Sequence, residues 1–205
     1  MRRTLVSIIS VFVFLLQADA DSVLKAFTDR ASESLVSFDY SFVSKLENGS
    51  SMTGSGSATV SGDMFSIRGN GLEILCDGRT RWTMDTEAKE VIVETVSGNG
   101  ADYLANPALL LSHSGEAFEA VSSGDGRFKG RSAHVTKLRP MVETGVGELA
   151  MYFSGEELIG VEVTAEDGTV TEFAISNLTF SSLVRDESGF RPGQFPEDWV
   201  VTDLR

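Results

Sequence analysis

Residues able to do acid–base, nucleophilic or metal chemistry are few in this chain and poorly grouped. The 205 residues include two His, His113 and His134, and one Cys, Cys76. One thiol forms neither an intramolecular disulfide nor a Cys-x-x-Cys metal or redox site. Two His give little material for zinc or for a nucleophile–His pair. Cys76 lies in a strand-like run and reads as a small buried apolar residue rather than a reactive thiol. Carboxylates are plentiful, with 30 Asp+Glu against 17 Lys+Arg. Yet Asp85, Glu87 and Glu90 fall on a hairpin rim and read as a solvated face. Asp125-Gly126 and Asp167-Gly168 lack the further oxygen ligands of a calcium loop. No G-x-S-x-G, H-E-x-x-H or phosphate loop occurs. The sequence therefore predicts a protein that is not an enzyme and uses no metal or other cofactor. Its net charge of −13 argues against nucleic acid, whose phosphates need clustered Lys and Arg. An apolar ligand stays open.

Large apolar side chains, by contrast, recur at regular spacing. From Asp21 to Val36 the apolar positions Leu24, Phe27, Ala31 and Leu35 stand three and four apart, which marks one face of an amphipathic helix. After Ser37 the period changes to two. Phe38, Tyr40 and Phe42 alternate with Asp39, Ser41 and Val43, and Asn48-Gly49 then turns the chain. Gly54, Gly56, Ala58 and Val60 make a face that begins almost bare and becomes apolar. Gly62-Asp63 is a turn, followed by Phe65 and Ile67, then Leu72, Ile74 and Cys76. Asp77-Gly78 is the clearest hairpin signal. Trp82 and Met84 share the next face, and Val91 and Val93 the one after.

The alternation breaks between Ala101 and Ser112, where Asn106-Pro107 opens a short helix through Ala108, Leu109, Leu110 and Leu111. Strands resume at Phe118–Val121, Ser132–Arg139, Glu148–Phe153, Leu158–Ala165 and Val170–Asn177. Asp125-Gly126, Ser154-Gly155 and Asp167-Gly168 are the expected turns. The tail, with Phe190, Pro192, Phe195, Pro196 and Trp199, adds a turn and a last short edge strand.

The first twenty residues stand apart. Arg2 and Arg3 precede an uncharged apolar run from Leu5 to Leu16, and Ala18-Asp19-Ala20 forms a small-x-small site. This is the pattern of a secretory signal peptide, too short for a spanning helix of roughly 20 residues. Residues 1–20 are expected to be removed between Ala20 and Asp21, leaving 21–205 as one domain outside the cytoplasm. No Cys near that site could receive a lipoprotein's acyl chains.

One strongly curved antiparallel sheet must cover its apolar face, and two helices are available to do so. The expected fold is mainly β: a half-open antiparallel β-barrel covered by an N-terminal helix and a mid-chain lid helix. Its inward faces carry Phe38, Phe42, Phe65, Trp82, Met151 and Phe153. Inward Phe and Met line a ligand cavity and fill an ordinary core equally well, so periodicity alone leaves both open.

The stretch Ile74-Leu75-Cys76-Asp77-Gly78-Arg79-Thr80-Arg81-Trp82-Thr83-Met84-Asp85 resembles the strand, Asp-Gly-Lys-Thr turn and Trp-x-Tyr strand of the outer-membrane lipoprotein carrier proteins, the LolA family. Ser37–Phe42 is similar to that family's first strand, Gly54-x-Gly56 to the start of its second, and Asn106–Leu111 to its mid-chain helix. The Phe-Pro pattern between Phe190 and Asp203 is similar to its tail.

The resemblance implies a periplasmic carrier, a monomer, that holds lipoprotein acyl chains in a hydrophobic cavity. It would ferry them from an inner-membrane release complex to an outer-membrane acceptor. The implied chain-binding residues are Phe38, Tyr40, Phe42, Phe65, Ile67, Leu72, Ile74, Trp82, Met84, Val91, Val93, Leu109, Leu110, Met151 and Phe153. The family's Arg-Pro, whose Arg holds the lid closed, is replaced here by Ser61-Gly62-Asp63, and its Tyr by Met84. A looser closed state follows. The alternative reading is an envelope adaptor or assembly protein of the same fold, with a filled core, that acts through its surface.

Overall fold

A computed structural model of the protein describes residues 22–96, 117–142, 144–182 and 186–205. Among these are one α-helix, α1 (Ser22–Ser32), and twelve strands. The first six are β1 (Ser34–Lys45), β2 (Ser51–Ser61), β3 (Met64–Gly69), β4 (Leu72–Asp77), β5 (Thr80–Asp85) and β6 (Glu90–Thr95). The rest are β7 (Phe118–Phe128), β8 (Arg131–Pro140), β9 (Val146–Ser154), β10 (Glu157–Ala165), β11 (Val170–Ser182) and β12 (Val200–Asp203). They make one curved sheet that does not close, in the order β12-β6-β5-β4-β3-β2-β1-β11-β10-β9-β8-β7. The expected mid-chain helix at Asn106–Leu111, with Leu109 and Leu110, lies outside the described residues.

Two antiparallel meanders, β1–β6 and β7–β11, are joined where β1 pairs with β11, from Ser34 beside Ser182 to Lys45 beside Val170. A register shift between Ser37 and Asp39 is absorbed on β11 at Asn177, whose φ is +53°. The tail strand β12 pairs in parallel with β6 and forms the expected short edge.

α1 ends four residues earlier than its apolar period suggests. The Ser32 hydroxyl donates to the Asp29 carbonyl at 2.8 Å, satisfying one of the acceptors left over in the last turn. Leu35 therefore belongs to β1 rather than to the helical face. Leu24, Phe27 and Ala31 are buried, as their spacing predicts.

A second expectation fails at Asp125-Gly126. No turn forms there; β7 runs straight through, with Asp125 paired to His134 and Gly126 to Ala133. The chain turns instead at Lys129-Gly130, with φ of +46° and +81°. Those values suit a two-residue hairpin loop, whose twist matches that of the strands it joins.

Candidate functional site

Register assigns every strand residue to one of two faces, because directly paired residues point the same way. On the concave face Phe38 stands beside Ala58, Ala58 beside Ile67, and Ile67 beside Ile74. Phe65 and Cys76 share that face, as does Leu72 two residues from Ile74. Across the seam, Phe42 is beside Phe173, Phe173 beside Val161, and Val161 beside Met151, with Phe153 on the same side of β9. Nine of the sequence-derived candidates therefore lie on one surface: Phe38, Tyr40, Phe42, Phe65, Ile67, Leu72, Ile74, Met151 and Phe153.

Trp82, Met84, Val91 and Val93 do not. Ile74 pairs with Thr83, so Thr83 and Arg81 face the concavity while Trp82 and Met84 face away. Val93 and Val91 pair with Trp82 and Met84 and follow them to the convex side. There, with Leu75, they form a separate cluster covered by Phe195 and Trp199 of the tail. Apolar alternation marks a covered face, and in β5 and β6 the tail, not the concavity, is the cover. Leu109 and Leu110 lie outside the described residues.

The nine concave candidates differ in accessibility. Phe65, Met151 and Phe153 are between 0 and 2% exposed and act as packed floor. Phe27 of α1 fills the concavity above them, with its ring centroid 5.6 Å from that of Phe153 and 6.0 Å from that of Phe180. Away from α1 the surface opens. Tyr40, Phe42, Ile74 and Phe173 are half-buried and Leu72 is exposed. Tyr40 and Phe42 each meet the Phe173 ring, at centroid separations of 6.3 and 5.8 Å, and Phe38 meets Tyr40 at 6.5 Å. Offset and edge-on contacts of this kind are the favoured ones between rings.

Gly54 and Gly56 let these rings lie flat over β2. A Cβ on Gly54 would fall 2.5 Å from a Phe42 ring carbon, and one on Gly56 2.7 Å from the Tyr40 hydroxyl oxygen. The nearly bare face seen in the sequence is the bed of the aromatic row. Burial raises the Tyr40 phenol above its usual pKa, so it stays neutral.

Sequence reasoning missed Phe173, Ile175, Leu178 and Phe180, which extend the row along β11 and pack against the same core. Their alternation was visible as far as Ile175. The shift at Asn177 breaks the period beyond it, so Leu178 and Phe180 escape a strict count of two.

The charge that Arg81 brings to this face is paired. Its Nη2 lies 2.9 Å from Glu94 Oε2, on cross-strand neighbours at the far end of β5. The Nε2 of His134 and the hydroxyl of Thr136, both on the concave side of β8, have no hydrogen-bond partner among the described residues. No constellation of nucleophile, base and oxyanion donor is assembled among the described residues. The face can take up apolar surface.

No family model matches the chain, and no curated protein matches it. Solved structures do. An uncharacterized conserved protein from Thermus thermophilus superposes with a TM-score of 0.54 at 11% identity, over 90% of this chain and 99% of that one. A LolA superfamily protein from Nitrosomonas europaea gives 0.45 at 8% identity, over 82% and 97%. A DUF1329 family protein from Desulfovibrio piger gives 0.46 at 13% identity, over 86% and 97%. At these identities the likeness is one of fold.

Proposed function

We propose that this protein is a non-enzymatic periplasmic carrier that binds lipoprotein acyl chains on its concave face and moves them between membranes. The observation that carries the reading is the half-buried row Tyr40, Phe42 and Phe173, laid over a strand stripped to Gly54 and Gly56. A soluble core that only needed filling would bury such rings, as it buries Phe65 and Phe153. The resemblance of Ile74–Asp85 to the lipoprotein carriers supports the same reading, as does the signal-peptide pattern of residues 1–20.

Each buried CH₂ contributes about 0.8 kcal/mol, so a chain of about 16 carbons gains on the order of 12 kcal/mol gross. That keeps a lipid out of water but opposes release. Partial exposure of the aromatic row lowers the gain. In this reading the inner-membrane release complex loads the carrier and an outer-membrane acceptor unloads it, and the carrier works as a monomer cleaved at Ala20/Asp21.

The test is mass spectrometry of an organic extract of the exported protein, together with its intact mass. A chain beginning at Asp21, with co-purified acylated species released by solvent, is expected. Protein free of lipid that also fails to take up a fluorescent acyl analogue would sink the reading and favour the surface-acting adaptor, for which the packed Phe27–Phe153 end of the concavity is the best argument.

A further inference from the structure

β10 and β11 part company early. They pair from Gly160–Ala174 to Thr164–Val170, and beyond Ala174 β11 follows β1 alone through the shift at Asn177. The β9–β10 hairpin therefore diverges from the second half of β11. The cleft between them has a volume of about 510 Å³ and is lined on the hairpin side by Ser154, Glu156 and Glu157, and on the β11 side by Leu178 and Phe180. Arg30, in the last turn of α1, completes the wall. Its guanidinium carbon lies 4.0 Å from the centroid of the Phe180 ring, which holds the planar group in place by cation–π attraction. Arg30 makes no ion pair among the described residues.

Residues of opposite charge thus line one cleft from separate elements, Arg30 from α1 and Glu156 and Glu157 from the hairpin. Its floor is continuous with an apolar stripe. Leu178 and Phe180 share the concave side of β11 with Ile175 and Phe173, all half-buried. Phe180 lies under Phe27 and Arg30, and from Leu178 to Phe173 the stripe runs about 15 Å at the usual strand rise. One leaflet of a bilayer's hydrocarbon is about 15 Å thick, so the stripe can hold one chain of membrane length.

We propose that the cleft seats the head of a zwitterionic phospholipid or lysophospholipid, with phosphate at Arg30, ammonium toward Glu156 and Glu157, and one acyl chain along the β11 stripe. This rests on the chain-carrying reading above and adds a second class of cargo to it. A plain anion meets two carboxylates here, and a plain cation meets Arg30. A head with both charges about one phosphodiester apart satisfies each wall, and its chain leaves toward the aromatic row.

The experiment displaces a neutral apolar dye, N-phenylnaphthylamine, from the exported protein. The competitors are a 16-carbon lysophosphatidylethanolamine, the 16-carbon alcohol and chain-free glycerophosphoethanolamine. The lysophospholipid is expected to compete about tenfold better than the alcohol, the worth of a charge-assisted contact. Arg30→Gln should remove that advantage while the alcohol competes as before, and Arg30→Lys should restore part of it. The double substitution Glu156→Gln, Glu157→Gln should shift preference toward palmitate.

Unchanged lysophospholipid affinity in Arg30→Gln overturns the proposal. So does an equal loss for the alcohol, which would make Arg30 merely structural. Glycerophosphoethanolamine competing as well as the lysophospholipid overturns it too, in favour of a site for the free head. In all three of these outcomes chain binding survives. Failure of every competitor, with no dye uptake, overturns the carrier reading along with it.

Discussion

Asp77 ties the hairpin signal most visible in the sequence to the tail of the chain. Its side chain is 4% exposed and accepts hydrogen bonds from the amides of Arg79 and Thr80, at 2.9 and 2.8 Å, and from Arg191 Nε at 2.7 Å. Burial pushes its carboxyl up, but the two amides and Arg191 together hold it below the ordinary carboxylate range. A depressed folded-state pKa stabilises the fold at pH above the unfolded value, and this contribution is lost as pH falls through the folded one. Denaturant midpoints should therefore drop on acidification, and drop less in Asp77→Asn, which keeps an amide acceptor but no charge. Asp77→Ala should cost about 2–3 kcal/mol at neutral pH, since it leaves two amides without their acceptor and Arg191 with Glu187 as its remaining partner. Urea titration measures both. The faces assigned by register give a second contrast. Phe42→Glu should abolish uptake of a fluorescent acyl analogue with little change in thermal midpoint, because Phe42 is half-buried at the concavity. Trp82→Phe, on the other face, should leave uptake unchanged. Equal effects in the two variants would mean that the chain binds elsewhere.

At the scale of elements the tail's turn and edge strand were legible in the sequence, but the face it covers was not. The 3-10 turn Glu187–Phe190 buries Phe190, Lys89 pairs with Asp198 at 2.6 Å, and β12 hydrogen-bonds along β6. Phe195 and Trp199 then roof the Trp82 cluster. Truncating the chain before Phe195 should expose Trp82, red-shift its emission and cost about 2–3 kcal/mol, since two half-buried aromatics are lost. Why this escaped the sequence is physical. Period two shows that Trp82 and Met84 share a side, but which side depends on what covers it, and that cover is more than a hundred residues away. The face of α1 was legible because Leu24, Phe27 and Ala31 settle it locally. So was the bare start of β2, because only a close neighbour explains Gly54 and Gly56 together. The turn at Lys129-Gly130 was not, because Asp125-Gly126 carries the stronger local signal and is overruled by pairing with β8.

For the whole molecule the seam between β1 and β11 is decisive, since the two meanders meet nowhere else in the strand order. Its amides have partners on both flanks over most of β1 and should exchange slowest with solvent. Those of the edge strands β7 and β12 should exchange fastest. Native-state hydrogen exchange checks this ranking, and a β12 as protected as β1 would contradict it. The same seam governs the order in which the protein can come into being. The ribosome makes β1 before β11, so Val36 waits for Phe180 until β2 to β10 have been made. Until then β1 keeps one raw margin, and α1 has no bed, because Phe153 and Phe180, on which Phe27 rests, are still unmade. Unpaired strand margins invite pairing with other chains. A nascent chain stalled before Val170 is therefore a sticky half-object, and the cell has to shield it or destroy it.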